Sequence, residues 1–147
     1  NLAGMKTLCL LDLSATPITD AGLANIKALP QVRQLWLNST PITDAGLAHV
    51  AGLTRIEELH LASTGVTGGG LGVLRASPVQ TLDLSGVQVG DEAVVSLAAM
   101  PALRSVNLRG TRLTSAGLRR LCDLVNQSGR RLRIDADVPV APPLNVP

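Results

Sequence analysis

The chain has 147 residues, which suits about one domain, and it carries 26 leucines, one tryptophan, no phenylalanine and no tyrosine. Its net charge is only +2, and 46% of its residues are apolar. These fractions exclude a disordered chain, and no apolar run approaches the roughly 20 residues that a membrane-spanning helix needs. The core must be built from many similar aliphatic side chains, which a stacked repeat buries well.

One pattern of apolar residues returns five times along the chain. In its second copy it runs Val32-x-x-Leu35-x-Leu37-x-x-Thr40-x-Ile42. The copies begin at residues 8, 32, 56, 79 and 103, so successive spacings are 24, 24, 23 and 24 residues. Five copies in phase predict a repeat architecture.

Each copy has an alternating half and a helical half. In the alternating half, Leu35 and Leu37 point to one face of a short strand, and Trp36 points to the other. In the helical half, Leu47 and Val50 lie on one face of a short helix. Neither half can bury its apolar face alone, so the copies are expected to stack. The predicted fold is an α/β solenoid with a curved parallel sheet on the concave side and short helices on the convex side.

The helix starts carry recognisable signals. Thr19 and Thr43 occupy predicted N-cap positions, and Asp20 and Asp44 follow in the first turn, where a carboxylate favours the helix dipole. Prolines are expected to end the helices before the next strand: Pro30, Pro78 and Pro101.

These motifs resemble those of the leucine-rich repeat family. The segment from Leu35 to Pro41, followed by Ile42-Thr43-Asp44-Ala45-Gly46-Leu47, is similar to the cysteine-containing-like class with its ITDxGL signature. The match covers roughly residues 2–134. The resemblance implies a right-handed superhelix that recognises proteins. In this class such repeats often serve as substrate-recognition parts of ubiquitin ligases, which need an F-box or similar domain that is not visible here.

The chain departs from the family at one turn position. Many leucine-rich repeats place Asn or Cys there, whereas this chain has Thr16, Thr40, Thr64 and Thr111, with Val87 in the fourth copy. A threonine hydroxyl can bond to the turn backbone, but a valine side chain cannot. The fourth turn is therefore expected to deviate.

The ends suggest how the chain is divided. We expect a solenoid over residues 1–134, with a partial repeat at 1–7 that opens in phase with a helix at Leu2 and Met5, and a sixth strand near 131–134. Residues 135–147 contain four prolines and are expected to form a tail or linker. Because a solenoid needs capped ends, we expect the sequence to be a piece of a longer array.

No combination of residues predicts catalysis. His49 is expected on the convex side and His60 on the inner wall, about 10 Å at strand spacing from Cys9, which is too far for direct activation. The run Gly68-Gly69-Gly70-Leu71-Gly72 lacks the third glycine of GxGxxG and a following lysine, so it predicts a loosened helix start. We expect no enzyme activity, no cofactor and no metal site.

The outward strand positions predict a binding surface on the inner wall of the arc. Its central column includes Trp36, an aromatic side chain that the core pattern does not require there, and tryptophan and arginine often dominate binding energy. The alternative is that Trp36 only covers Asp12 and His60. The predicted partner-binding residues are Asp12, Gln34, Trp36, Asn38, Glu58, His60, Asp83, Asn107 and Arg109. In the sixth strand, Arg131, Arg133 and Asp135 are predicted to lie level with Ser105, Asn107 and Arg109.

Three functions are compatible with this wall and with the uneven charge. The first is a scaffold that binds a protein or peptide on the concave face. The second is polyanion or nucleic-acid contact through the C-terminal repeats, where residues 104–133 hold eight arginines and one acid, Asp123. The shortage of aromatic residues argues against base stacking. The third is a spacer that binds nothing. The sequence does not fix the oligomeric state.

The two cysteines bear on the compartment. Cys9 and Cys122 lie four repeats apart, roughly 19 Å along the stack, which is beyond disulfide reach. Two free thiols favour a reducing compartment, so we expect a cytoplasmic protein.

Overall fold

Six three-residue strands form one parallel sheet, and each strand pairs with the next along the chain. The computed structural model describes residue 5 and residues 7–138, so the predicted helical position of Leu2 and the prolines from 139 onward lie outside the described residues. The strands are β1 (Leu10–Asp12), β2 (Gln34–Trp36), β3 (Glu58–His60), β4 (Thr81–Asp83), β5 (Ser105–Asn107) and β6 (Arg133–Asp135).

The return segments between the strands are short helices of unequal length and type. They are α1 (Asp20–Leu23) with the 3₁₀ segment Ala24–Ala28, α2 (Asp44–Val50), the 3₁₀ segment Gly70–Leu74, the 3₁₀ segment Asp91–Ala93 leading into α3 (Val94–Ala98), and α4 (Ser115–Gln127). The third copy has only a 3₁₀ segment where its neighbours have α-helix. The glycine run therefore gives the loosened helix that the sequence predicts.

One aliphatic core runs between the sheet and the helices. The central residue of each inner strand is buried, and Leu35, Leu59 and Leu82 are 0% exposed. Helical-side residues such as Leu47 and Leu71 meet them from the other layer. The apolar side chains of the strands and those of the return segments therefore lie in the same core. The period of two in the strands and the helical period in the return segments both place them there.

The register of the first five strands keeps the repeat period, but the sixth does not follow the prediction. The structure pairs Ser105 with Arg133 and Asn107 with Asp135, two residues away from the predicted alignment of Asn107 with Arg133. Helix α4 has 13 residues, so the last return segment is longer and the 24-residue period no longer locates the strand. Since a shift of two residues keeps every side chain on its face, alternation alone could not reveal it.

The threonines after the strands bond to the turn backbone as the sequence predicts. The hydroxyls of Thr16, Thr40, Thr64 and Thr111 each donate to a carbonyl three residues earlier, at 2.6–2.7 Å. Val87 makes no such bond, yet the deviation expected for the fourth turn is wrong. Its amide donates to the Leu84 carbonyl at 3.1 Å, and its side chain is fully buried. Gly86 takes the left-handed conformation (φ 69°) that Ala15, Ser39 and Ser63 take in the earlier turns.

The helix-start threonines and aspartates connect neighbouring repeats. Thr19 is the N-cap residue of α1 as predicted, although its side chain makes no capping bond, whereas Thr43 accepts from the Ala45 amide at 3.3 Å. The Asp20 carboxylate accepts from both the amide and the hydroxyl of Thr43 in the next copy, at 2.9 and 2.6 Å. Asp44 binds Thr67 in the same way. Each carboxylate therefore joins two repeats, beyond the dipole role predicted from sequence.

This link also explains the glycine of the ITDxGL motif. A β-carbon on Gly46, Gly70 or Gly117 would collide with the aspartate that reaches across from the preceding copy. The third copy has no aspartate to offer, because Gly68 occupies that position. Opposite Gly68, the fourth copy has Ala93 where the others have glycine. A β-carbon is thus tolerated where the carboxylate is missing.

Glu92 fills the space that the missing aspartate leaves. Its carboxylate accepts from the Gly90 amide at 2.9 Å, and a β-carbon on Gly68 would collide with it. Asp91 then restores the usual link, since it accepts from the amide and hydroxyl of Thr114 at 2.9 and 2.7 Å. These two bonds hold the pKa of Asp91 below its ordinary value.

Candidate binding surface on the concave side of the sheet

The strands present three columns of side chains on the concave face, which we call the inner wall. Because alternate residues of a strand point to opposite faces, the residues on either side of each inward-facing central residue face outward. The first column contains Leu10, Gln34, Glu58, Thr81, Ser105 and Arg133. The second contains Asp12, Trp36, His60, Asp83, Asn107 and Asp135. The third follows the strand ends with Ser14, Asn38, Ala62, Ser85 and Arg109.

Trp36 and His60 form the centre of the second column. They are register partners on β2 and β3, and their ring centroids lie 5.2 Å apart with the planes tilted by 59°. Trp36 is half-buried, so it is less open to solvent than its outward strand position suggests. Its indole Nε1 is covered and has no hydrogen-bond partner among the described residues. The edge of the indole that carries Nε1 is therefore packed within the wall. Trp36 also packs against His60, one of the two residues that it covers in the alternative interpretation.

Two carboxylates flank His60. Glu58 Oε2 lies 3.8 Å from its Nε2, and Asp83 Oδ2 lies 3.7 Å from its Nδ1. These distances are too long for hydrogen bonds but short enough for attraction when the imidazole is protonated. The His60 and Asp83 side chains are both 22% exposed, so the cluster is partly shielded from water.

Each acidic side chain of the wall is held by one oxygen. Asp12 Oδ1 accepts from the Ser14 amide at 2.9 Å, and Asp83 Oδ1 accepts from the Ser85 amide at 2.9 Å. Glu58 Oε1 accepts from the Gln34 side-chain amide at 3.2 Å. Hydrogen bonds from Ser14 lower the pKa of Asp12, with a smaller contribution from the positive form of His60. The carboxylates are therefore oriented, and the second oxygens of Glu58 and Asp83 lie beside His60 without a hydrogen bond to it.

The two asparagines predicted for the site support the backbone. Asn38 Oδ1 accepts from the Ala62 amide of the next copy at 2.9 Å, and Asn107 Oδ1 accepts from the Arg109 amide at 3.1 Å. Their carbonyl oxygens therefore fix the turn beyond each strand. The free amide NH₂ group of either residue can still donate to a bound molecule.

At the C-terminal end, several arginines already have partners within the chain. Arg109 Nε donates to Asp135 Oδ1 at 2.8 Å. Arg130 donates to the carbonyls of Ala98 and Met100, which end α3 and the turn after it. Arg104 and Arg131, with Arg130, line a shallow hollow of about 220 Å³ beside Pro101. Three arginines of this end therefore share one hollow while Arg109 lies on the inner wall, and the polyanion alternative stays a prediction.

Reactive groups outside the wall are isolated from each other. Cys9 is exposed and Cys122 is partly buried, and neither forms a disulfide within residues 7–138. Burial and the nearby Asp123 raise the pKa of the Cys122 thiol. In the same part of the chain, no group of three or more acidic, His or Cys residues is placed to hold a metal ion. None of its helices is both long and apolar enough to cross a bilayer.

Comparison with known proteins supports the repeat architecture. A family model described as leucine-rich repeat matches residues 76–98. Internalin C2 from Listeria monocytogenes is 26% identical with a TM-score of 0.60, over 88% of this chain and 53% of its own. A leucine-rich repeat protein of Leptospira interrogans is 19% identical with a TM-score of 0.62, over 91% and 32% of the two chains.

Internalin F of Listeria monocytogenes is 18% identical with a TM-score of 0.52, over 92% of this chain and 49% of its own. The chain therefore spans about half the length, or less, of the solved proteins that it resembles. No curated protein matches the sequence. None of these matches tests the cysteine-containing-like subclass, which stays a prediction. The in-phase copies, the parallel sheet with short helices and these similarities show that the chain is built of leucine-rich repeats.

Proposed function

We propose that the chain is a non-enzymatic scaffold that binds a protein or peptide on its inner wall. The observation that carries the proposal is the Trp36–His60 pair on the sheet face, which β2 and β3 hold in register. A half-buried aromatic residue between polar side chains offers contact area at little entropic cost, because packing already restricts it. We assign the contacts to Asp12, Gln34, Trp36, Asn38, Glu58, His60, Asp83, Asn107 and Arg109.

The arrangement of the wall favours binding over catalysis. Among residues 7–138, the carboxylates nearest to His60 lie at 3.7 and 3.8 Å, beyond hydrogen-bond distance, so neither orients the imidazole as a general base. The side chains instead spread over several strands, as expected for contact with an extended surface. We propose a cytoplasmic location, supported by the two unpaired cysteines.

Capture of a partner with matched variants tests the proposal. Trp36→Ala should abolish retention of a protein that the wild-type chain captures from its source lysate. Val95→Ala, on the convex side where Val95 is 51% exposed, should retain the same protein. Trp36→Leu keeps more of the packing, and circular dichroism checks that both Trp36 variants are folded. Equal capture by folded Trp36 variants and wild type would place the binding surface elsewhere.

A further inference from the structure

We infer that the partner offers the inner wall an extended basic segment whose Lys or Arg side chains meet the carboxylates around Trp36. The inference rests on the proposed function, since it assigns a chemistry to the partner of the same surface. It depends on the charge of the wall, the fixed orientation of its carboxylates and the position of the indole between them.

The first four strands give the wall an uncompensated negative charge. Their three columns hold Asp12, Glu58 and Asp83 and contain no Lys or Arg. Arg33 and Glu57 pair with each other outside the columns. Asp12 has no ion-pair partner within residues 7–138, and Glu58 and Asp83 approach only His60. A cationic partner therefore meets three carboxylates without displacing an existing Lys or Arg ion pair.

The carboxylates are already oriented for this contact. Hydrogen bonds from Ser14, Gln34 and Ser85 each hold one oxygen of an acidic side chain. A cation that meets the second oxygen pays less side-chain entropy than it would at a freely rotating carboxylate. Trp36 lies in the same column between Asp12 and His60, and a Lys or Arg side chain over its ring gains a cation–π contribution.

The spacing suits an extended chain that crosses the strands. Asp12 and Asp83 are three strands apart, or about 14 Å at the usual separation of 4.8 Å. Alternate residues of an extended peptide point the same way and lie about 7 Å apart, so every second side chain can meet the wall. At the other end of the wall Arg109 is paired with Asp135, and Arg133 gives that end positive charge, so a basic segment is expected to lie on the first four strands.

Peptide binding tests the inference, with two readouts. The probe is a short capped peptide in which lysine alternates with serine, and its control replaces lysine with glutamate. Trp36 is the one tryptophan of the chain, so its fluorescence reports on the inner wall alone. Anisotropy of a dye on the peptide gives the affinity for every variant, including those without Trp36.

The lysine peptide should change Trp36 emission at low salt, and the glutamate peptide should not. We expect Glu58→Gln and Asp83→Asn each to weaken binding about threefold, and Trp36→Leu about fivefold. Asp123→Asn removes an acid at an exposed position of α4, away from the sheet, and should leave the affinity unchanged. Equal weakening by Asp123→Asn, or no lysine-peptide binding at all, would overturn the inference.

Two outcomes separate this inference from the proposed function. If only the glutamate peptide changes Trp36 emission, the basic chemistry is wrong but the inner wall still binds. If the lysine peptide binds equally well to the Trp36, Glu58 and Asp83 variants, the contact lies elsewhere. The inner-wall assignment then fails with the inference.

Discussion

The sheet side of the repeats is uniform, whereas the helical side differs from copy to copy. All six strands have three residues and pair in line. The return segments range from the 3₁₀ turn at Gly70–Leu74 to the 13-residue α4. A strand must match the hydrogen-bonding groups of both neighbours, while a return segment satisfies most of its own backbone. The sheet therefore fixes the repeat, and the helical side has freedom to vary.

The largest expected effect comes from a cavity on the sheet side. Leu59→Ala truncates a residue that is 0% exposed in the middle of β3, and should lower the free energy of unfolding by about 3 kcal/mol. Val73→Ala, in the 3₁₀ segment of the same copy where Val73 is 45% exposed, should change it by less than about 0.5 kcal/mol. Urea denaturation measures both, and equal losses would contradict the contrast.

A smaller effect is expected where the sheet side passes into the helical side. Gly70→Ala places a methyl group against the Asp44 carboxylate and should cost about 1–3 kcal/mol. In Asp44→Ala this clash is absent, so adding Gly70→Ala to that variant should cost much less than it does in the wild type. A double-mutant cycle by urea denaturation measures this coupling. Additive costs would mean that the carboxylate does not restrict the glycine.

The links between repeats also predict an acid limb in the stability profile. The pKa of Asp91 is lower in the folded chain than in the unfolded one, because Thr114 donates two hydrogen bonds to its carboxylate. The stabilisation of the folded chain by the ionised Asp91 is complete above the unfolded pKa of about 3.9. It is lost as pH falls through the lower pKa of the folded chain. Urea denaturation from pH 6 to about pH 3 should show a shallower fall for Asp91→Asn. A fall as steep as that of the wild type would exclude Asp91 as a source of the acid limb.

The smallest effect is expected in the fourth turn. Val87→Thr restores the hydroxyl of the other turns, which can donate to the Leu84 carbonyl, but it exchanges a fully buried methyl for a polar group. The two changes oppose each other, so the midpoint of thermal unfolding should shift by less than that of Leu59→Ala. A fall in the midpoint as large as that of Leu59→Ala would show that the turn requires valine.

Much of the fold could be predicted because the leucine pattern records the burial of every strand. Leu35 and Leu37 point inward as their alternation requires, and both are 0% exposed. The sixth strand could not be placed as well, since α4 breaks the period and Ile134, rather than Leu132, pairs with Val106. Turn chemistry was predicted from Thr40, but the rescue of the fourth turn by Gly86 depends on a backbone conformation that the side-chain pattern does not encode.

The sequence predicts which residues face the inner wall, but not all of the hydrogen bonds that they make. Strand phase places Trp36 and His60 together, as the structure does. It also predicts Asp135 beside Arg109, and the two side chains bind each other although β6 pairs two residues away from the predicted register. It does not predict that Asn38 reaches the backbone of the next copy, because that contact depends on the turn geometry. The bonds from Asp44 to Thr67 were also missed, although the spacing of 23 residues between them repeats that between Asp20 and Thr43 and was a usable signal.

The reach of each aspartate into the following copy means that the copies cannot be reordered freely. Excision of residues 56–78 would bring Asp44 against Gly90 and Ala93, where its hydroxyl partner is missing and a methyl group fills its place. Loss of residues 56–102 would instead present Asp44 with Thr114 and Gly117, a matched pair. Recombination that removes or duplicates the third and fourth copies together would therefore keep an aspartate opposite a threonine and a glycine. Removal of either copy alone would lose this contact.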